Sequence, residues 1–256
     1  MRNTWIIGKN TLLDAVRHKV FSIQFIFLLC AAGLFNLFSH FQSTVNLEYR
    51  MIQDMGISII AFFGLLMTLF LGVSTLREDL DRKTAYVTLS LPIGRWEFYL
   101  GKFFGTLLAT FLNVLIMGLI FSLLLFLKFK VVWHTFFWVL VFITMELAIV
   151  TSLVLLFSLT DSVVMAFSFT LFMYIMGNIV GYVKHLIAET GIQTLVLVSN
   201  LAYLAIPNFG YFNIKTRVLK DFAIPHELFL WAVAYCLVYL TVTCLVGILI
   251  MEQRDL

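Results

Sequence analysis

Charge is scarce in this chain. Aspartate, glutamate, lysine and arginine make up 12% of its 256 residues, about half the roughly 25% usual in soluble domains. Apolar residues make up 62%, where a soluble domain carries about 45–50%. This balance excludes a soluble globular protein and points to an all-α integral membrane protein. A net charge of +3 is too small to argue for a nucleic-acid partner. Cysteine is rare too. Cys30, Cys236 and Cys244 lie in apolar runs and form no CxxC, which fits packed thiols rather than a disulfide or metal site. Internal repeats, low-complexity segments and linkers are absent, so residues 1–256 read as one transmembrane domain. No cleavable signal peptide is expected. The first apolar run starts near Val20, behind a charged segment, and is long enough to stay in the bilayer.

Catalytic signatures are missing as well. No GxxxxGK(S/T) phosphate loop occurs. Gly101-Lys102 is followed by Phe103, and no glycine stands five residues before Gly101, so ATP is not bound in that way. No HExxH is present, and the five histidines (His18, His40, His134, His185, His226) are scattered at expected membrane edges. An intramembrane enzyme would need a convergent set of His, Asp or Glu. A secondary carrier would favour more intramembrane charge and an inverted repeat. Neither pattern is visible.

What the chain does have is apolar runs of spanning length. A hydrocarbon core of about 30 Å needs about 20 apolar residues as helix. Six segments qualify, at roughly 20–40, 56–76, 104–127, 135–158, 163–183 and 227–250. A further apolar piece, 192–206, ends at Pro207 and is short for a span, so it is expected to be a re-entrant or interfacial hairpin within the long loop 184–226. Ahead of the first run, residues 1–19 read as an amphipathic helix on the membrane surface. At 100° per residue, Trp5, Ile6, Leu12, Leu13, Val16 and Val20 share an arc of about 120°. Ile7 falls outside that arc. Lys9 falls inside it and would snorkel toward phosphate.

Basic residues set the orientation. Arg2, Lys9, Arg17 and Lys19 precede the first span, only Arg50 lies in the first loop, and five basic residues lie in the second. This early asymmetry puts both termini and the second loop in the cytoplasm.

That second loop is the polar anomaly of the chain. Residues 77–102 hold Arg77, Arg82, Lys83, Arg95 and Lys102 beside Glu78, Asp79, Asp81 and Glu97. Mixed sign argues against a basic phosphate patch or an acidic metal site. Pro92 disfavours helix at Leu91, Gly94 permits a turn, and a new helix is expected from Arg95-Trp96-Glu97. The layout is that of a cytoplasmic lever. Only one charge, Glu146, sits deep in a span. Such a residue faces a cavity or a partner, and a substrate contact or a hydrogen bond through Asn113 or Asn178 both remain open. Two GxxxG pairs, Gly101/Gly105 and Gly177/Gly181, offer flat surfaces for close helix packing.

Three pieces resemble a known family. Glu78…Arg82-Lys83-Thr84…Leu89-Ser90-Leu91-Pro92-Ile93-Gly94-Arg95…Gly101-Lys102 is similar to a signature of ABC-2 type permeases, the membrane subunits of ATP-binding-cassette transporters. Ile206-Pro207-Asn208-Phe209-Gly210-Tyr211-Phe212-Asn213 resembles a P-N-F-x-x-F-N segment of one branch, which includes the permease serving maturation of nitrous oxide reductase, a periplasmic copper enzyme. The ending Met251-Glu252-Gln253-Arg254-Asp255-Leu256 resembles an F-x-R-R-D-(L/F) tail, with Gln253 where arginine is common.

The resemblance implies a half-transporter of the inner membrane, for export by preference. Two permease copies would form the path, and two separate ATPase subunits would hold ATP and Mg, with no cofactor on this chain. Membrane lipids and a periplasmic or accessory protein are further expected partners. The amphipathic helix would match the family's connecting helix. Residues 77–103 would match its coupling helix, with contacts at Glu78, Asp79, Asp81, Arg82, Lys83, Thr84, Pro92, Gly94, Arg95, Trp96 and Glu97. Glu146, Asn113 and Asn178 become candidates for the translocation path. In the nitrous oxide reductase branch, the cargo would be a sulfur species or a mechanical signal.

Overall fold

The computed structural model describes residues 2–17, 20–39, 45–81, 94–130, 136–160, 162–190, 206–219 and 225–253, with isolated positions 194, 196, 199, 200, 203 and 222. Helix α1 is Arg2–Arg17, α2 Val20–Ser39, α3 Val45–Asp81, α4 Arg95–Phe129, α5 Phe136–Phe157 and α6 Val163–Thr190. A 3-10 turn, Phe209–Phe212, and a short α7, Lys215–Leu219, lead to α8, His226–Gln253. No strand occurs among the described residues. Among the described residues, five stretches are long and apolar enough to cross a membrane: Glu48–Leu76, Arg95–Phe129, Phe136–Phe157, Val163–Ile187 and His226–Gln253. In α2 the shorter apolar stretch Ile23–Leu34 is recognised. Most of the expected hairpin at 192–206 lies outside the described residues.

α3 outruns its expected span of 56–76 at both ends, and α4 starts at Arg95, where the sequence places a new helix. α3 has 37 residues and α4 has 35, so each is more than 50 Å long at about 1.5 Å per residue. Hydropathy marks only the part in hydrocarbon. The helix itself continues until something breaks it, and α3 contains no proline. It does contain Gly56, Gly64 and Gly72. A Cβ at these sites would run into Phe121, Leu147 and Val154 respectively. Their missing side chains let α4 and α5 approach α3 closely.

α5 is central, touching α3, α4, α6 and α8. Its run Leu147–Leu155 is buried throughout. The main core joins Phe27 and Ala31 of α2, Ile60 and Leu69 of α3, Val114 and Phe121 of α4, and Phe142 and Val150 of α5. A second, smaller core lies at one end of the bundle. It joins Ile7 of α1, Leu76 of α3, Phe98, Tyr99 and Phe103 of α4, Leu155 of α5, and Cys244 and Met251 of α8. That end is also where α3 leaves the body toward the polar stretch.

Several buried hydroxyls in the helices are satisfied locally, although the buried Tyr99 hydroxyl has no hydrogen-bond partner among the described residues. Thr68, Thr106, Thr110, Thr151 and Thr170 each donate to the carbonyl four residues back, as a lipid surrounding requires. One amide pair crosses between helices. Gln24 Nε2 donates to Asn113 Oδ1 at 2.8 Å, and Asn113 Nδ2 donates to the Ala109 carbonyl. This ties α2 to α4 inside the body.

Candidate functional site

The polar stretch leaves α3 as helix. Leu76 is fully buried, and the helical backbone runs on through Glu78, Asp79 and Asp81. Arg82, Lys83, Thr84 and Pro92 lie outside the described residues. The chain returns at Gly94, which is extended (φ −66°, ψ 143°) and accepts the first turn's bond from the Phe98 N–H at 3.1 Å. A Cβ on Gly94 would stand 2.9 Å from the Trp96 indole nitrogen. Glu97 lies in the first turn of α4, where a carboxylate suits the helix dipole.

Arg95 fixes the start of α4 to the end of α8. Its Nη1 donates to the carbonyls of Glu252 at 2.9 Å and Met251 at 3.4 Å. The last carbonyls of a helix lack intrahelical donors and carry partial negative charge, so a guanidinium is a fitting cap. One turn further in, Tyr99 is fully buried, and a Cβ on Gly247 would collide with its hydroxyl.

The first GxxxG pair receives α1. A Cβ on Gly105 would lie 2.6 Å from Thr11 Cβ and 2.7 Å from the Gly8 carbonyl. One on Gly101 would lie 2.8 Å from Ile7 Cβ. The facing glycine, Gly8, leaves only 3.2 Å to the Gly101 carbonyl. α1 thus meets the body through Ile7, Gly8, Thr11 and Ala15, about 150° round the helix from its apolar arc. Trp5, Ile6 and Leu13 of that arc are exposed. Ile7, the apolar residue left outside the arc, faces protein.

The second pair receives a turn instead of a helix. A Cβ on Gly177 would meet the Pro207 carbonyl and the Phe209 ring, and one on Gly181 would stand 3.4 Å from Asn208 Nδ2. Asn208 organises that turn. Its Oδ1 accepts from the Gly210 N–H at 2.9 Å, its Nδ2 donates to Tyr203 Oη at 3.0 Å, and its own N–H donates to Tyr235 Oη at 2.7 Å. Tyr203 also bonds Tyr211 at 2.9 Å and lies under Lys184 Nζ, 4.0 Å from the ring centroid. The bond from Tyr203, with partial burial, holds the Tyr211 hydroxyl above the usual tyrosine pKa. This tyrosine cluster has one legible signal in the sequence, the segment Pro207 to Asn213.

Two of the three candidate path residues meet at Tyr174, and the third lies apart. Glu146 on α5 hydrogen-bonds the side chain of Tyr174 on α6, which also bonds the Asn178 side chain. Asn178 is exposed and donates to the Tyr174 carbonyl. Asn113 is engaged with Gln24 elsewhere. At the end of the body opposite Arg95, Lys128 pairs with Glu48 at 2.5 Å and Lys215 with Asp54 at 2.7 Å. Among the described residues, no group of three or more His, Cys, Asp or Glu could hold a metal.

Several long apolar helices around one core, with a charged stretch between α3 and α4, define a multi-pass membrane protein. The sequence profile described as "ABC-2 family transporter protein" matches residues 5–256, and the chain belongs to that family. It is a family of membrane permease subunits of ABC transporters, in which the ATPase is a separate partner. No curated protein matches the chain.

Proposed function

We propose that this chain is the membrane half of an ATP-driven exporter, working as a pair of identical six-span permeases above two ATPase subunits. Both termini and residues 77–103 face the cytoplasm, and the ATPase engages the stretch through Glu78–Thr84 and Pro92–Glu97. The observation that carries this reading is the pair of anchors around the stretch. α3 enters it as unbroken helix, and Arg95 leaves it bonded to the end of α8. A displacement of the stretch therefore reaches α3, α4 and α8 together. Closure of the ATPase pair would shift the two permeases between inward- and outward-open states through differential contact with that stretch.

The test is biochemical. The chain should co-purify with an ATPase and show no ATP hydrolysis alone. Charge reversal at Glu78 or Arg82 should lower the complex's coupled ATPase activity about tenfold, the loss of one charge-assisted contact of about 1.4 kcal/mol, with assembly intact. A chain that transports in vesicles without any ATPase, or reversal variants that turn over normally, would sink the reading.

A further inference from the structure

A groove of about 900 Å³ runs down the outside of α4, walled by α1 on one side and by α5 and α8 behind. Its lining on α4 extends from Trp96 through Leu100, Phe104 and Leu108 to Phe111. Those fifteen steps amount to about 22 Å at 1.5 Å per residue. The far end is closed by Met145 and Cys236, which stand near the middles of α5 and α8. The groove therefore starts at the level of α1 and reaches the middle of the body, the depth of one leaflet of a roughly 30 Å hydrocarbon core.

The wall is almost wholly apolar, with one charge. Lys9 lines the groove beside Trp5, Gly8 and Leu12. Among the described residues, Lys9 makes no ion pair or hydrogen bond. It is exposed within the apolar arc of α1, where its stem can lie along apolar surface while its ammonium reaches an anionic headgroup. Trp5 and Trp96, 71% and 45% exposed, lie at the same mouth, the level at which indoles mark the headgroup layer.

We propose that this groove binds one anionic phospholipid from the leaflet in which α1 lies. An acyl chain lies along Leu100, Phe104, Leu108 and Phe111, and the phosphate sits at Lys9. A long, narrow, apolar slot with a single cation at its headgroup end matches an anionic amphiphile. A second copy of the chain is a poorer match, because it would bury Lys9 against apolar surface. The site needs only α4 to cross the bilayer, so it stands or falls independently of the ATPase.

The test places the full chain in nanodiscs of phosphatidylcholine with a minority of phosphatidylglycerol carrying a diazirine on one acyl chain. Photolabel should concentrate on residues 4–15 and 96–111. Moving the diazirine to phosphatidylcholine should weaken labelling there about fivefold, as expected for one cation near an anionic headgroup. Lys9→Gln should abolish that headgroup preference and keep some acyl labelling. Leu108→Trp, at a position 41% exposed and so tolerant of a larger side chain, should block the slot and remove labelling by either lipid. Labelling that is equal on the exposed face of α6 at Phe169, Phe172 and Ile175 would overturn the proposal. So would a headgroup preference unchanged by Lys9→Gln, or cross-links that join two copies of the chain at the groove.

Discussion

Gly101 and Gly105 meet a helix, whereas Gly177 and Gly181 meet a turn stiffened by Asn208. Both pairs have the same spacing and both sit in long apolar helices. The first lies where α4 begins, and it faces another glycine, Gly8, on which a Cβ would stand 3.2 Å from the Gly101 carbonyl. The second lies on the C-terminal half of α6, and its partner is the Pro207 carbonyl with the Phe209 ring. The spacing thus marks a surface without Cβ atoms. What fills that surface depends on which segment returns to it.

If the two seams are independent, each can be broken alone. Gly105→Leu drives a side chain into Thr11 and the Gly8 carbonyl, and should cost about 3 kcal/mol, at the upper end for overpacking. Protease sensitivity of residues 2–17 should rise while the Asn208 turn stays protected. Gly177→Leu should do the reverse at a cost of about 2 kcal/mol, and the two losses should add in a double variant. Loss of both seams from either substitution would show that they form one unit. Asn208→Ala is the milder probe of the second seam. It strands the Gly210 N–H and takes one of two partners from the Tyr203 hydroxyl, which keeps Tyr211, and should lower unfolding stability by about 1–2 kcal/mol.

A cap at the first seam's end gives a smaller effect. Arg95→Ala should cost about 1 kcal/mol through the freed α8 carbonyls, and its fluorescence-monitored melt should shift accordingly. Glu48→Gln should be the weakest. Its pair with Lys128 is partly solvated, so a loss below about 1 kcal/mol that fades in high salt is expected.

The apolar runs were readable because each spans a bilayer as a single compositional block. Helix ends were only partly readable. The start of α4 at Arg95 followed from the break at Pro92 and Gly94, whereas Val45–Met55 is helical yet too polar to count in an apolar run. The partners of isolated polar groups were also hidden. Glu146 was expected to make a substrate contact or a hydrogen bond through Asn113 or Asn178, and it meets Tyr174, which in turn bonds Asn178. Tyrosine counts as apolar in composition while carrying a polar tip. Asn113 found Gln24, one of two amides in the first apolar run, whose need for a partner was itself a usable signal. The amphipathic arc of α1 was legible. The stripe that holds α1 to the body was not, since Gly8, Thr11 and Ala15 are too small to stand out. Of the lever contacts, only Gly94, Arg95, Trp96 and Glu97 have described side-chain surroundings, and Arg95 turns inward to α8.

The seat of α1 on Gly105 also sets an order of events during synthesis. Thr11 is made 94 residues before the glycine it packs against. At about 5–20 residues per second, that gap lasts roughly 5–20 s. Through that interval the newborn α1 has no protein partner on α4, and the Arg95 cap on Glu252 is completed only once α8 has been made. The first helix therefore needs a temporary bed, and its exposed Trp5, Ile6 and Leu13 let the membrane surface serve as one.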